Sequence, residues 1–292
     1  MIREVLREGL RLVSKNWLYI FLLWGTNILF SLVLTIPIYA LLKDNLSHSI
    51  LSSKLALQVD YYWLLQFLNY NENLINKLPI LLFSIVGLNI LMQKLYQGGL
   101  IAVFSNPKKN HISDFFYAGV KYWYRFVKIS IISISLLILI FFLDSKVDAL
   151  VEYLLKDSNS VFLDLIIRSL RYLFLLFIIG TISIITEYTQ VYLALNDIPK
   201  IRIALRDTVF FIKKKFFLIF ITYLIVSIIG GLGAIVYNIV AIYIPRSPFY
   251  FLILTFILQQ MLIIFRLAIT MLLYATEVYI YKDQNAEIIN NN

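Results

Sequence analysis

The sequence predicts an all-α polytopic membrane protein with six transmembrane helices. These form three hairpins of the same orientation, each preceded by a basic amphipathic helix on the cytoplasmic side. Three observations carry this. Apolar residues make up 61% of the 292 residues and mean hydropathy is +0.82. They fall in runs long enough, at about 1.5 Å per helical residue, to cross a hydrocarbon core of about 30 Å. A basic lead-in pattern also recurs: Ile2, Arg3, Leu6, Arg7, Lys15 and Phe21 return 199 residues later as Ile201, Arg202, Leu205, Arg206, Lys214 and Phe220. Finally, Lys and Arg concentrate in alternate loops, as the positive-inside rule requires of a polytopic chain. A transmembrane barrel would instead show alternating segments of about ten residues.

Taken in order, residues Ile2 to Val13 place Ile2, Val5, Leu6, Leu10 and Val13 on one helical face. Arg3, Glu4, Arg7, Glu8 and Arg11 lie opposite, a stripe suited to the bilayer interface. The first span follows from Trp17 to about Leu42, with Trp17, Tyr19 and Trp24 as interfacial anchors. A polar stretch to Leu78 contains LALQVDYYWLLQF, predicted to be a second interfacial helix. Pro79, a favoured first-turn residue, opens the second span, which Asn106-Pro107-Lys108-Lys109 stops after Phe104. Asp114 to Lys128 repeats the lead-in more loosely: aligning Gly119 with Gly9 puts Lys121 on Arg11 and Arg125 on Lys15.

The third span is Phe126 to Leu143. Ser145 to Lys156, with Ser145 and Asp148 at capping-box spacing, reads as a separate short helix on the opposite surface. The fourth span runs from about Leu163 to Leu195 and ends in Asn196-Asp197-Ile198-Pro199-Lys200. Phe216 to Ile244 and Phe249 to about Tyr281 complete the set, joined by Pro245-Arg246-Ser247-Pro248. The expected organisation is one transmembrane domain over 1–283, with hairpins at about 1–104, 112–195 and 200–282, and a disordered tail at 284–292. The side holding both termini carries about twice the Lys and Arg of the other and all of the formal +9, so both termini are expected in the cytoplasm.

The chain has no cysteine, which excludes disulfides, thiolate nucleophiles and Cys-ligated metals. Basic residues that mark a membrane face need no nucleic-acid partner. The N-terminus lacks the short apolar core and small-residue cleavage site of a removable signal. His48 and His111 stand alone, and no HExxH, no G-x-S-x-G elbow and no acid cluster spaced for a metal is present, so neither an enzyme nor a cofactor or metal site is expected.

Ionisable residues inside spans are the default functional candidates. Lys94, Glu187, Arg266 and Glu277 all lie in even-numbered spans, with Gln93, Gln259 and Gln260 beside them. A semi-polar interior built from Glu187, Arg266, Lys94, Gln93 and Gln259 is therefore expected, with Glu187 pairing to Arg266. That pair serves either as a proton or substrate pathway or as a structural bridge fixing helix register. Glu277, Arg168 and Arg171 read as interfacial, and Lys94 as close enough to the inner surface to snorkel. The small residues Gly230, Gly231, Gly233 and Ala234 read as a close-packing stripe or a hinge, and Gly98 and Gly99 as packing or loosening points. Arg3, Arg7, Arg11, Lys121, Arg125, Arg202, Arg206, Lys213, Lys214 and Lys215 are candidate contacts to anionic lipid headgroups on the cytoplasmic side.

Gln97-Gly98-Gly99-Leu100, Phe115-x3-Gly119-x2-Tyr122-Trp123-x-Arg125-Phe126, Glu187-Tyr188, Ala204-Leu205-Arg206, and Arg266 with Glu277 carry a resemblance. By these residues the chain resembles bacterial six-span proteins related to the membrane domain of glycerophosphoryl diester phosphodiesterases. The resemblance covers most of the chain. It implies a multi-pass protein of the bacterial inner membrane without catalytic residues of its own; the phosphodiesterase domain of some relatives is absent. The expected function is a scaffold or accessory subunit engaging lipids or a membrane-protein partner. The alternative is a small transporter or lipid translocator using the Glu, Arg and Lys interior.

Overall fold

A computed structural model describes residues 1–46, 55, 60–72, 76–106, 112–155, 161–245 and 249–290. Among the described residues it is 94% helical without strands. The helices are α1 (Ile2–Lys15), α2 (Leu18–Leu46), α3 (Tyr61–Tyr70), α4 (Leu78–Ser105), α5 (Ile112–Leu155), α6 (Val161–Asn196), α7 (Ile201–Tyr243) and α8 (Phe249–Asn290). Six of them, α2 and α4 to α8, are long and apolar enough to cross a membrane. Their mid-helix surfaces stay exposed, as at Ile138, Phe142, Leu173 and Phe174, where lipid rather than protein would cover them.

The two strong copies of the lead-in agree residue by residue. Val5, Gly9, Val13, Ile20 and Leu23 are buried, and so are Ala204, Thr208, Ile212, Ile219 and Thr222 at the same offset of 199. Arg3, Arg7 and Lys15 are exposed, as are Arg202, Arg206 and Lys214. Leu10, expected on the apolar face with Val5 and Val13, is 57% exposed, while Gly9 is buried. The chain also breaks at the same point in both copies. α1 ends at Lys15 before a turn at Asn16 and Trp17, while α7 kinks at Lys215 (φ −125°, ψ 26°), the position equivalent to Asn16.

The second copy buries Phe115, Gly119, Phe126, Ile129 and Ser130, at the places of Val5, Gly9, Asn16, Tyr19 and Ile20. It does not break. α5 is one continuous helix of 44 residues that absorbs both the lead-in and the expected surface helix from Ser145 as far as Leu155; Lys156 lies outside the described residues. Ser145 does not cap a new helix; its hydroxyl donates back to the Phe142 carbonyl at 2.7 Å, satisfying it inside the running helix. At about 1.5 Å per residue α5 is roughly 66 Å long, about twice the hydrocarbon thickness, with its charge-free stretch between Lys128 and Asp144.

Other boundaries move for local reasons. α3 begins at Tyr61 because the Asp60 carboxylate accepts from the backbone N–H of Tyr62 and Trp63 at 3.0 and 3.3 Å; residues 56–59 of the expected interfacial helix lie outside the described residues, as do Pro107 to Lys109 and Arg246 to Pro248. α8 runs on to Asn290, so the tail expected to be disordered from 284 is helical as far as that residue.

The chain divides into two compact units that interleave along the sequence, rather than hairpin by hairpin. One comprises Met1–Leu12, Lys94–Ile225 and Leu273–Asn292, the other Val13–Gln93 and Val226–Leu272. In the first, α5 and α6 run antiparallel: Lys121 and Arg125 meet Asp197, the Gln190 amide meets Ser130, Thr186 donates to Ser133 at 3.0 Å, and Arg171 meets Asp144. α4 crosses α5 backbone to backbone at small residues. A Cβ on Gly119 would lie 2.7 Å from the Leu95 carbonyl oxygen, and one on Gly98 3.3 Å from the Gly119 Cα. Val5, Ile184, Tyr188, Ile212, Ile219 and Ile280 form this unit's apolar core. In the second unit Gly230 faces Ile269 and Gly233 faces Phe265, so the expected small-residue stripe is a packing surface between α7 and α8. Tyr19, expected as an anchor, is buried there, and Trp24 Nε1 donates to Gln260 Oε1 at 3.0 Å.

Candidate functional site

The residues of the expected interior fall in different units. Gln93, Gln259 and Arg266 belong to the second unit and are exposed, and among the described residues Arg266 enters no ion pair. Glu187 and Lys94 belong to the first unit, where Glu187 meets another acid instead. Its carboxyl lies against that of Glu277, and the Lys94 ammonium is near enough to both to act on them electrostatically. Glu277, read from sequence as interfacial, is 2% exposed. Neither of its carboxyl oxygens, nor Oε2 of Glu187, has a hydrogen-bond partner among the described residues.

Four helices build this cluster. α4 supplies Lys94 and, one turn on, Gln97, whose Oε1 accepts from Lys94 Nζ at 2.9 Å while its own Nε2 has no partner. Gln97 is held inside because Gly98 and Gly99 follow it and bring α4 hard against α5. α6 brings Glu187 and Tyr188, α8 brings Tyr274 and Glu277, and Tyr223 of α7 stands beside Tyr274. Both carboxyls sit about one and a half turns inside the Lys128 level of α5, as the Ser133–Thr186 contact shows. One ammonium faces two carboxylates, so the group is formally one positive charge short. Each charge at hydrocarbon level costs roughly 2.5–3.5 kcal/mol on insertion scales, and a purely structural pair would be of opposite sign.

Sequence reasoning also missed two ion-pair clamps. Arg171, read as interfacial, has a side chain only 10% exposed and binds Asp144 through two nitrogens at 3.0 and 3.1 Å, with Asp148 on its remaining nitrogen. Arg168 takes Asp164 at 2.8 Å and Asp148 at 3.7 Å, so Asp144, Asp148 and Asp164 are all paired. The signal was present: Arg171 and Asp144 bound the apolar stretches of consecutive spans. At the other end of the same helix pair, Asp197 adopts a left-handed φ of 48° that ends α6, and it binds Lys121 at 2.8 Å and Arg125 at 3.3 Å. The Lys121 hydrogen bond foremost holds the Asp197 carboxyl below its ordinary value. Lys121 and Arg125, expected to face lipid headgroups, are thus committed to protein. An open cavity of about 330 Å³ beside them is lined by Ser105, Asn106, Asp114, Tyr117 and Tyr122.

Comparison of the chain with family models, with curated proteins and with solved structures finds no match. Function is therefore read from the residues themselves.

Proposed function

We propose that the chain is a non-catalytic multi-pass protein of the bacterial inner membrane, a scaffold or accessory subunit that engages anionic lipid and a membrane partner. One observation carries this. The first and third lead-in helices bury the same face and leave the same three basic positions exposed: Arg3, Arg7 and Lys15 in one, Arg202, Arg206 and Lys214 in the other, with Lys213 also exposed. The Lys214 ammonium stands over the Phe210 ring, 4.6 Å from its centroid, an arrangement suited to an interface. Each such cation near an anionic surface contributes on the order of 1 kcal/mol. Both termini are assigned to the cytoplasm by the distribution of Lys and Arg, and the resemblance to six-span bacterial proteins supports the inner membrane.

The test is lipid retention by the full chain purified in mild detergent. Extracts should be enriched in phosphatidylglycerol over the source membrane. A variant with Arg202, Arg206, Lys213 and Lys214 all changed to Gln should lose much of that enrichment; equal enrichment in both would reject the reading. A small transporter or lipid translocator is the second reading, supported by the Lys94, Glu187 and Glu277 cluster. It requires that vesicles containing the protein move a labelled lipid or ion across the bilayer faster than vesicles containing the Glu187→Gln variant.

A further inference from the structure

The Glu187–Glu277 pair has a ligand chemistry that neither reading names. We propose that Lys94, Glu187 and Glu277 form a site for one monovalent cation, a proton or an alkali ion, held between the two carboxyls. The inference rests on this cluster and not on lipid engagement or transport, so it stands or falls by itself.

Two carboxyls placed against each other repel when both are ionised, and the repulsion is strongest where water is excluded. Such a pair is stable only with positive charge between its members. Lys94 supplies one charge for two acids, and its ammonium is shared with the Gln97 amide oxygen at 2.9 Å. The three oxygens without donors, both of Glu277 and Oε2 of Glu187, are the atoms that one more cation or proton would satisfy.

A second, independent feature points the same way. Gln97 is 1% exposed, and its Nε2 donor has no partner although its Oε1 is fixed by Lys94 at the cluster. An enclosed amide with one free donor, joined through Lys94 to the two carboxyls, is a polar lining and not an apolar packing surface. The groups that face the pair are Lys94 from α4, Tyr188 from α6 and Tyr274 from α8, with Tyr223 of α7 next to Tyr274. None of the tyrosines brings a positive charge. Two carboxylates set against the single Lys94 ammonium leave one net negative charge, which one monovalent cation balances and a divalent ion would overshoot. A single charge is what the donor set fits.

The experiment uses the full chain in nanodiscs of phosphatidylethanolamine and phosphatidylglycerol, with two arms. In the first, pH-difference infrared spectra read the protonated-carboxyl C=O band. If the ligand is a proton, the unmodified protein shows a titrating band that is lost in Glu277→Gln and in Glu187→Gln. In the second, thermal unfolding is followed in NaCl or KCl against choline chloride at equal ionic strength and fixed pH. If the ligand is an alkali ion, Tm shows a saturable rise of roughly 5–10 °C at a hundredfold over the dissociation constant, abolished in both variants. Absence of both signals in the unmodified protein overturns the proposal. So does either signal surviving unchanged in the two variants. Because the unmodified protein alone can fail the test, loss of folding in a variant cannot rescue the idea.

Discussion

The α4–α5 crossing is specified closely enough for a graded prediction. A Cβ on Gly119 would stand 2.7 Å from the Leu95 carbonyl oxygen, and one on Gly99 2.7 Å from the Phe115 carbonyl oxygen. Each meets a backbone carbonyl, and at Gly99 the buried Phe115 ring as well, so relief requires the helices to separate by about half an ångström along their contact. Overpacking of that kind costs about 1–3 kcal/mol, against which Gly→Ala gains up to about 1 kcal/mol of helix propensity. Gly119→Ala and Gly99→Ala should therefore each destabilise by roughly 0–2 kcal/mol net. Gly98→Ala, whose Cβ would meet the Gly119 Cα at 3.3 Å, should lie near zero. Gly231, with nothing within 4 Å of a new Cβ, should gain stability on substitution. Unfolding of the full chain in mixed micelles, followed by far-UV circular dichroism against SDS mole fraction, ranks the four. If Gly119→Ala matched or exceeded Gly231→Ala in stability, the backbone-to-backbone crossing would be refuted.

Arg171→Met should cost about 2–4 kcal/mol, because it strands the Asp144 carboxylate at 17% exposure; adding Asp144→Leu should return most of it, and a cycle without that coupling would show the clamp to be idle. Asp197 gives a pH effect of known sign. Its carboxyl is held below the ordinary 3.8, so its stabilisation is present above that value and is lost as pH falls through the lower, folded value. Acid unfolding should thus be less steep in Asp197→Asn, which keeps a residue tolerant of φ 48°. The effect at neutral pH should stay within about 1 kcal/mol, since the carboxylate is about half exposed.

What the sequence made legible was whatever depends on one helix at a time. Run length gave the six spans, and period 3.6 with charge gave the lead-in faces, confirmed at Val5 and Ala204 or Arg7 and Arg206. What it hid depends on axial register between helices. Glu187 sits at the level of Glu277 and not of Arg266, which lies 11 residues earlier on α8, roughly 16 Å away along the axis. Hydrophobic pattern alone does not fix that level, and Lys282 and Asp283 drew Glu277 toward the interface when its side chain is enclosed. The continuity of α5 was hidden for a different reason. Ser145 before Asp148 reads equally as a cap or as two mid-helix residues, and the choice fell to the Phe142 carbonyl and to Arg171 across the helix pair.

The contrast between jointed and unjointed lead-ins has a mechanical consequence. The backbone already leaves helical geometry at Asn16–Trp17 and at Lys215, so bending there is local, while Val5 and Ile212 keep the lead-in faces packed in the apolar core. α5 has no such joint, and it is clamped to α6 by Asp197 at one end and Arg171 at the other. Mismatch between this pair and the membrane would be taken up by tilting the two helices together and not by bending one of them.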